Sequence, residues 1–322
     1  MRVVVTGGAG FIGSHLVDYL MGQGYHVTVI DNLSSSTIRN IEHWIGHDSF
    51  RFVKSDLKEY TAKWVEALRD ADAVFHYAAN PEVRVSTINP RKHFDENILA
   101  TFNVLEACRL NNVKYLVFAS SSTVYGDATQ IPTPEDHPLK PISIYGASKA
   151  ACEILASTYA RLYGLKVLIL RYANIIGPRL KHGVIYDFIQ KLKKNPYKLE
   201  ILGDGTQKKS YLYITDAIDA TLSTFNKLIK HDKHVLIYNV GNNDWVSVRE
   251  IADIIVETMG LTNVEYIYKP ITPDGRGWPG DVKLMLLDIT RIVKDTGWKP
   301  KMASLQAVRE TTKALVEELH NK

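Results

Sequence analysis

The sequence predicts a doubly wound α/β fold, a parallel sheet with helices on both faces. Three observations lead there. Short β-branched and aromatic runs alternate with amphipathic helical stretches from Arg2 to Leu170. A glycine-rich turn joins the first of these strands to the first helix. An aspartate, Asp31, ends the second strand. Together these read as strand, glycine loop, helix, strand, acid, the pattern of a dinucleotide-binding unit.

Arg2 to Thr6 reads as a buried strand. Gly7, Gly10 and Gly13 follow at once, with Phe11 and Ile12 between the last two. Such glycines allow a tight turn and a close backbone approach to a pyrophosphate held on a helix N-terminus. A helix is expected from about Ser14 to Gly22, then a strand from Tyr25 to Ile30. Asp31 lies 18 residues after Gly13 and is followed by Asn32. A carboxylate there accepts from ribose hydroxyls and repels a 2′-phosphate, which selects NAD over NADP. Phe50 to Val53 is a third strand, running into Asp56 and Leu57. Asp56 fits two roles, reaching the adenine or capping the next helix.

Ala73 to Tyr77 is a fourth strand, and the small residues Ala78 and Ala79 after it suit close passage of a cofactor. Asn89 to Asn111 reads as one long helix with Pro90 in its first turn and Asn97 inside it. Tyr115 to Ala119 is a fifth strand, followed by Ser120, Ser121, Ser122 and Thr123. A helix opens at Tyr145 and runs to about Gly164, and Lys166 to Leu170 is a sixth strand. In such sheets ligands bind beyond the carboxyl ends of the strands, where the glycine loop, Asp31, Ala78–Ala79 and Ser120–Thr123 all fall.

Chemistry enters with Tyr145 and Lys149. Positions four apart share one face of a helix. Of the 17 tyrosines, Tyr145 alone has Lys four positions later. A free phenol with a pKa near ~10 is a poor base at neutral pH. A neighbouring ammonium favours the phenolate, and a positive nicotinamide ring favours it further, so the pair is expected to shuttle the proton of a hydroxyl being oxidised.

Composition narrows the classes. The 322 residues are 45% hydrophobic and 23% charged, as in a soluble globular protein. The net charge is +4 with scattered positive residues, apart from short groups such as Lys191, Lys193 and Lys194, which gives no footprint for nucleic acid. No run reaches the ~18 apolar residues of a membrane helix, and no signal peptide is read before the glycines. The two cysteines, Cys108 and Cys152, lack metal-ligand spacing and read as buried hydrophobes of a reducing compartment, so the expected location is cytoplasmic and no metal is expected.

Four motifs in order carry a family likeness: Thr-Gly-Gly-Ala-Gly-Phe-Ile-Gly from Thr6, His76-Tyr77-Ala78-Ala79, Ser-Ser-Ser-Thr-Val-Tyr-Gly from Ser120, and Tyr145-Gly-Ala-Ser-Lys149. Later stretches at 171–179, 203–207 and 211–216 extend it. The chain resembles the extended short-chain dehydrogenase/reductases, in their nucleotide-sugar epimerase branch, over nearly its whole length. The resemblance implies bound NAD and reversible oxidation at C4 of a UDP-linked sugar through a 4-keto intermediate, with UDP-galactose and UDP-glucose as the pair. N-acetylhexosamine and uronic forms stay open.

It implies a Rossmann unit over residues 1–173, to which later segments return, and a smaller mixed α/β C-terminal lobe over 174–322. Ser121 matches the family's catalytic Ser/Thr, bridging O4 and the phenol. Asn174 is expected on the sugar or diphosphate and Asp281 on the nucleotide ribose. Lys209 stands where the family commonly has Arg, and keeps the charge without the planar fork. Trp278 occupies another position where the family commonly has Arg, so Arg276 is expected to take over the diphosphate. Met285 is expected to gate space near the sugar.

A 4,6-dehydratase would carry Asp-Glu after its catalytic Thr, where this chain has Ser122 and Thr123. A non-catalytic NAD-binding regulator would not need Tyr145, Lys149 and Ser121 together. The amphipathic helices at 94–111 and 148–163 resemble those of a four-helix homodimer interface.

In the second half the residues themselves give a helix from about Val184 to Lys194, a strand at Val235 to Val240, and a helix from about Val248 to Met259. Ser247 and Glu250 are spaced as a capping box at the start of that helix. Pro270 to Gly280 reads as a loop.

Overall fold

The structure is a computed structural model and describes residues 1–320. Six strands of the first half are β1 (Arg2–Thr6), β2 (His26–Asp31), β3 (Phe50–Lys54), β4 (Ala73–His76), β5 (Tyr115–Ser121) and β6 (Lys166–Tyr172). With Val235–Val240 they form one seven-stranded sheet in the order Val235–Val240, β6, β5, β4, β1, β2, β3. Every pairing is parallel, and Val235–Val240 runs in register with β6 from Val235 opposite Val167 to Val240 opposite Tyr172. A strand from the second half therefore completes the sheet of the first. The order turns at β1, with β2 and β3 on one side and β4 on the other. Chains leaving the carboxyl ends of β1 and β4 diverge there and open a crevice.

Both faces are covered because the strands are apolar on both sides. On one face, Leu16, Val17 and Leu20 of α1 (Phe11–Gly22) pack with Ala217, Ile218 and Phe225 of helix Ile214–Lys230. On the other, Val104, Leu105 and Cys108 of helix Ala100–Leu110 meet Cys152, Ala156 and Ala160 of helix Ile144–Tyr163. Each large apolar side chain buried there contributes about 1.5–3 kcal/mol. A third cluster joins helices Gly183–Lys194, Val248–Thr258 and Ser304–His320 through Phe188, Ile189, Ile251, Ile255 and Val308. The capping box forms: Glu250 N donates to Ser247 Oγ at 3.2 Å, and Ser247 N donates to Glu250 Oε2 at 2.7 Å.

Two expectations change. α1 begins at Phe11 rather than near Ser14, so its N-terminus opens directly onto the glycine loop. The long helix expected over 89–111 is three pieces: Pro90–His93, a π-helical turn Phe94–Leu99, and Ala100–Leu110. A π turn widens the helix, and here it carries the buried Asn97, whose side chain is bonded to two neighbouring segments described below. Apolar spacing alone does not register such a turn. No described helix is long and apolar enough to cross a membrane.

Candidate active site

The crevice is a single cleft of about 740 Å³, walled on one side by loops at the carboxyl ends of the sheet and on the other by residues 172–211 and 278–281. It is lined by Gly7, Gly10, Phe11, Ile12 and Gly13, by Asp31, Asn32, Asp56 and Leu57, and by Ala78 and Ala79. Ser120, Ser121, Ser122, Tyr145, Lys149, Asn174, Lys209 and Asp281 also line it. Asn97 and Arg276 do not.

The residues present fit a dinucleotide. Gly7 has φ +68°, and a Cβ there would sit 2.6 Å from the backbone N of Ala78, so β1 turns away against the segment after β4 only because the side chain is missing. The loop then delivers the first turn of α1, with its unpaired N–H groups, to the cleft. Asp31 anchors this arrangement from the end of β2. It accepts from Ala9 N at 3.0 Å, Leu33 N at 2.8 Å and Ser36 Oγ at 2.7 Å. A carboxylate has about four acceptor positions, so room remains for a ribose hydroxyl. Asp56 caps no helix: its Oδ2 accepts from Asn32 Nδ2 at 3.1 Å, its Oδ1 from Lys58 N at 3.0 Å, and the next helix begins only at Ala62.

The catalytic helix is placed by its first turn. Ser143 is its N-cap, its Oγ accepting from Gly146 N at 3.0 Å. A Cβ on Gly146 would lie 2.5 Å from Thr123 O, so the helix start presses on the loop after β5. That contact sets the half-buried Tyr145 close enough to Ser121 for the serine hydroxyl to favour the phenolate. Ser121 has a second duty, since its Oγ accepts from Thr123 N at 3.2 Å and Thr123 Oγ1 at 2.9 Å. Lys149 is buried one turn on, its Nζ 2.8 Å from Ala119 O and 6.0 Å from the centroid of the Tyr145 ring.

The electrostatics correct one expectation. Burial pushes the Tyr145 phenol up to about 12, against a smaller lowering by Ser121. Burial likewise pulls the Lys149 ammonium down to about 8. Desolvation disfavours whichever form is charged, and at 6.0 Å the ammonium is committed to the Ala119 carbonyl. The protein's own groups thus leave Tyr145 protonated at neutral pH rather than lowering it.

Three further residues lie off the lining of the cleft. Asn97 sits behind the wall: its Oδ1 accepts from Asn80 N at 2.8 Å and its Nδ2 donates to Ser148 Oγ at 2.9 Å. It fixes the segment after β4 to the catalytic helix. Arg276 is turned out of the cleft by three acceptors, Asp274 Oδ2 at 2.6 Å, Asp127 Oδ1 at 2.9 Å and Asp281 O at 2.6 Å. Met285 is buried with Val124, Tyr125 and Val282 and does not line the cleft. On the lobe side, Lys209 Nζ lies 2.7 Å from Asp281 Oδ1, and Asn174 Nδ2 donates to Ser210 O at 3.0 Å.

Sequence reasoning missed several wall residues, among them Arg84, Trp278 and Tyr172, and the support beneath Lys149. There, Glu153 accepts from Ser120 Oγ at 2.5 Å and pairs with Arg171 at 2.7 Å, both side chains buried. An acid one helical turn after Lys149 was the available signal.

Residues 3–241 match the NAD dependent epimerase/dehydratase family. The chain belongs to that family. Its cofactor is NAD, and as a family epimerase it is an NAD-dependent isomerase. A solved UDP-galactose 4-epimerase is 52% identical, covering 99% of this chain and 100% of that one, with a TM-score of 0.89. A UDP-glucose 4-epimerase of Mycolicibacterium smegmatis is 32% identical over 97% of each chain. A UDP-N-acetylglucosamine 4-epimerase of Methanobrevibacter ruminantium, solved with UDP-N-acetylmuramic acid, is 33% identical with a TM-score of 0.84, covering 98% of both chains.

Proposed function

We propose that this epimerase interconverts UDP-galactose and UDP-glucose by reversible oxidation at sugar C4 through a 4-keto sugar. The observation that carries the reading is the meeting of Tyr145, Ser121 and Lys149 in the cleft that also holds the glycine loop and Asp31. A 52% identical UDP-galactose 4-epimerase favours this sugar pair over the N-acetylated one.

In this mechanism Tyr145 takes the proton from the 4-hydroxyl as C4 is oxidised and returns it when the ketone is reduced from its other face. Ser121 hydrogen-bonds both O4 and the phenol, keeping the proton path short. NAD, when bound, supplies the acceptor and donor for the hydride of C4 and a positive ring that favours the phenolate. Gly7, Gly10, Phe11, Ile12 and Gly13 hold its diphosphate, Asp31 and Asn32 its adenosine ribose, and Asp56 and Leu57 its adenine end. Ala78, Ala79 and Ser120 flank its path, and Lys149 holds the ring-side ribose. Ser122 and Asn174 contact the sugar or diphosphate, and Lys209 and Asp281 receive the nucleotide. Asn97 acts from behind by positioning.

The test is direct. Purified protein given UDP-galactose and no added reductant should yield UDP-glucose, and the Tyr145→Phe variant should not. Failure of the parent to convert it while converting UDP-N-acetylglucosamine would move the assignment to the N-acetylated pair.

We divide the chain into an NAD-binding unit, 1–173 with the returning strand Val235–Val240, and a nucleotide-sugar lobe in the rest. We assign a homodimer built on helices Ala100–Leu110 and Ile144–Tyr163. These leave Phe102, Leu110, Ile154, Leu162 and Tyr163 between 42% and 64% exposed, an apolar set suited to a partner's identical face. Sedimentation at twice the monomer mass would support this assignment, and at the monomer mass would overturn it. A cytoplasmic location accords with two buried free thiols.

A further inference from the structure

A nucleotide-sugar brings a diphosphate into the cleft between the sugar and the nucleoside, and some cation on the wall must meet it. Several cations in and around the cleft are already engaged. Lys149 is bonded to Ala119 O beneath Tyr145, and Lys209 is bonded to Asp281. Arg179 is held by Asp18 at 2.8 Å and by Ser14 Oγ at 3.0 Å. Arg276 has left the wall. Arg84 is held differently. Its Nε donates to Glu82 Oε1 at 3.2 Å, and among the described residues no hydrogen bond runs from its two terminal nitrogens.

Its position is also right. The Arg84 guanidinium lies 5.9 Å from the centroid of the Trp278 ring, and Lys209 Nζ lies 5.8 Å from the same centroid. Two cations from opposite walls therefore share one aromatic plate. The indole N–H of that plate is buried and has no acceptor among the described residues. A buried donor without a partner is rare and calls for one. Two residues along from Arg84, Ser86 Oγ accepts from Tyr145 N at 3.1 Å, which ties this segment to the catalytic end of the cleft. Lys209 ties the other side of the plate to Asp281 at the nucleotide end.

We propose that Arg84 binds the diphosphate of the nucleotide-sugar, its guanidinium held by Trp278 and its charge joined by Lys209 from the lobe. The inference rests on the nucleotide-sugar reading above. Arg84 offers the phosphates two free terminal nitrogens, the fork geometry that Lys209 lacks. The substrate thus bridges the two walls through a pair of cations that both lie beside Trp278.

The test uses the NAD-containing protein and UDP as the probe, by titration calorimetry, with Arg84→Ala and Arg84→Lys. Arg84→Ala should weaken UDP binding about 10- to 100-fold while uridine affinity and NAD content stay unchanged. Its KM for UDP-galactose should rise with kcat held within about twofold, the sign of lost uniform binding. Arg84→Lys should recover part of the loss. Parent-like UDP affinity in Arg84→Ala, or an equal loss for uridine, or loss of NAD, overturns the proposal and leaves the epimerase reading standing. If the parent neither binds UDP nor converts UDP-galactose, the epimerase reading falls and this proposal with it.

Discussion

The two walls of the cleft are built on different principles. The sheet-side wall is made by short segments that end a strand or open a helix, and each of its motifs is compact in sequence. Tyr145 and Lys149 share one helix face, Ser121 ends β5, and the glycine loop joins β1 to α1. The lobe-side wall collects Asn174, Lys209, Trp278 and Asp281 from segments up to about a hundred residues apart, joined by the Lys209–Asp281 pair at 2.7 Å. Local geometry fixes each motif of the first wall, while the second has no such motif and depends on single residues that packing brings together. Perturbing the first should therefore change chemistry, and perturbing the second should change affinity and stability together.

The largest effect tests the first wall. Tyr145→Phe should lower kcat for UDP-galactose about a thousandfold with little change in KM or bound NAD. A variant that retained parental turnover would remove the phenol from the mechanism. On the second wall, Lys209→Ala strands the Asp281 carboxylate, which is 2% exposed. Stability should fall by about 3 kcal/mol, read from urea unfolding, and UDP affinity should fall with it. Lys209→Arg should restore both.

Lys149 sharpens the contrast through pH. Its ammonium titrates near 8 in the fold and near ~10.4 unfolded. Between these values the unfolded chain holds more protons, so stability rises with pH through that window. Lys149→Met removes the buried charge. It should be about 2–3 kcal/mol more stable relative to the parent at pH 7 than at pH 11. A gain independent of pH would show that the lysine is not desolvated.

Smaller again, Asn97→Ala leaves Asn80 N and Ser148 Oγ without their partner. A loss of about 2 kcal/mol in stability and a fall in kcat without loss of NAD would fit its place behind the wall. Arg276→Ala should be mildest. Its Asp127 and Asp274 partners are half exposed, so at most about 1 kcal/mol of stability is at stake, and KM for the nucleotide-sugar should stay within about twofold. A large rise in KM would return Arg276 to the diphosphate.

The parts legible in the sequence were those with a local physical signature. The strand pattern placed β1 and Val235–Val240 to the residue, and the capping box at Ser247 and Glu250 formed as spaced. The glycine loop, Asp31, Ala78–Ala79 and Ser120–Thr123 fell on one cleft as their places after strands implied. The misplacements share a cause. Asn97 reads as one polar residue in a helix until a π turn carries it to Asn80 and Ser148. Arg276 reads as a free cation near Asp281 until Asp127, remote in sequence, captures it.

The sequence by itself determined the α/β alternation, the dinucleotide loop and a tyrosine–lysine pair on one helix face, because periodicity and spacing act over single turns and strands. Only the tertiary structure decided which charges are free. Burial raised Tyr145 to about 12 and lowered Lys149 to about 8. Packing spent Lys209 on Asp281 and Arg276 on its own loop and on Asp127. It also set Arg84 beside Trp278. Desolvation and ion pairing depend on what lies within a few ångströms in space, and chain order does not record that distance.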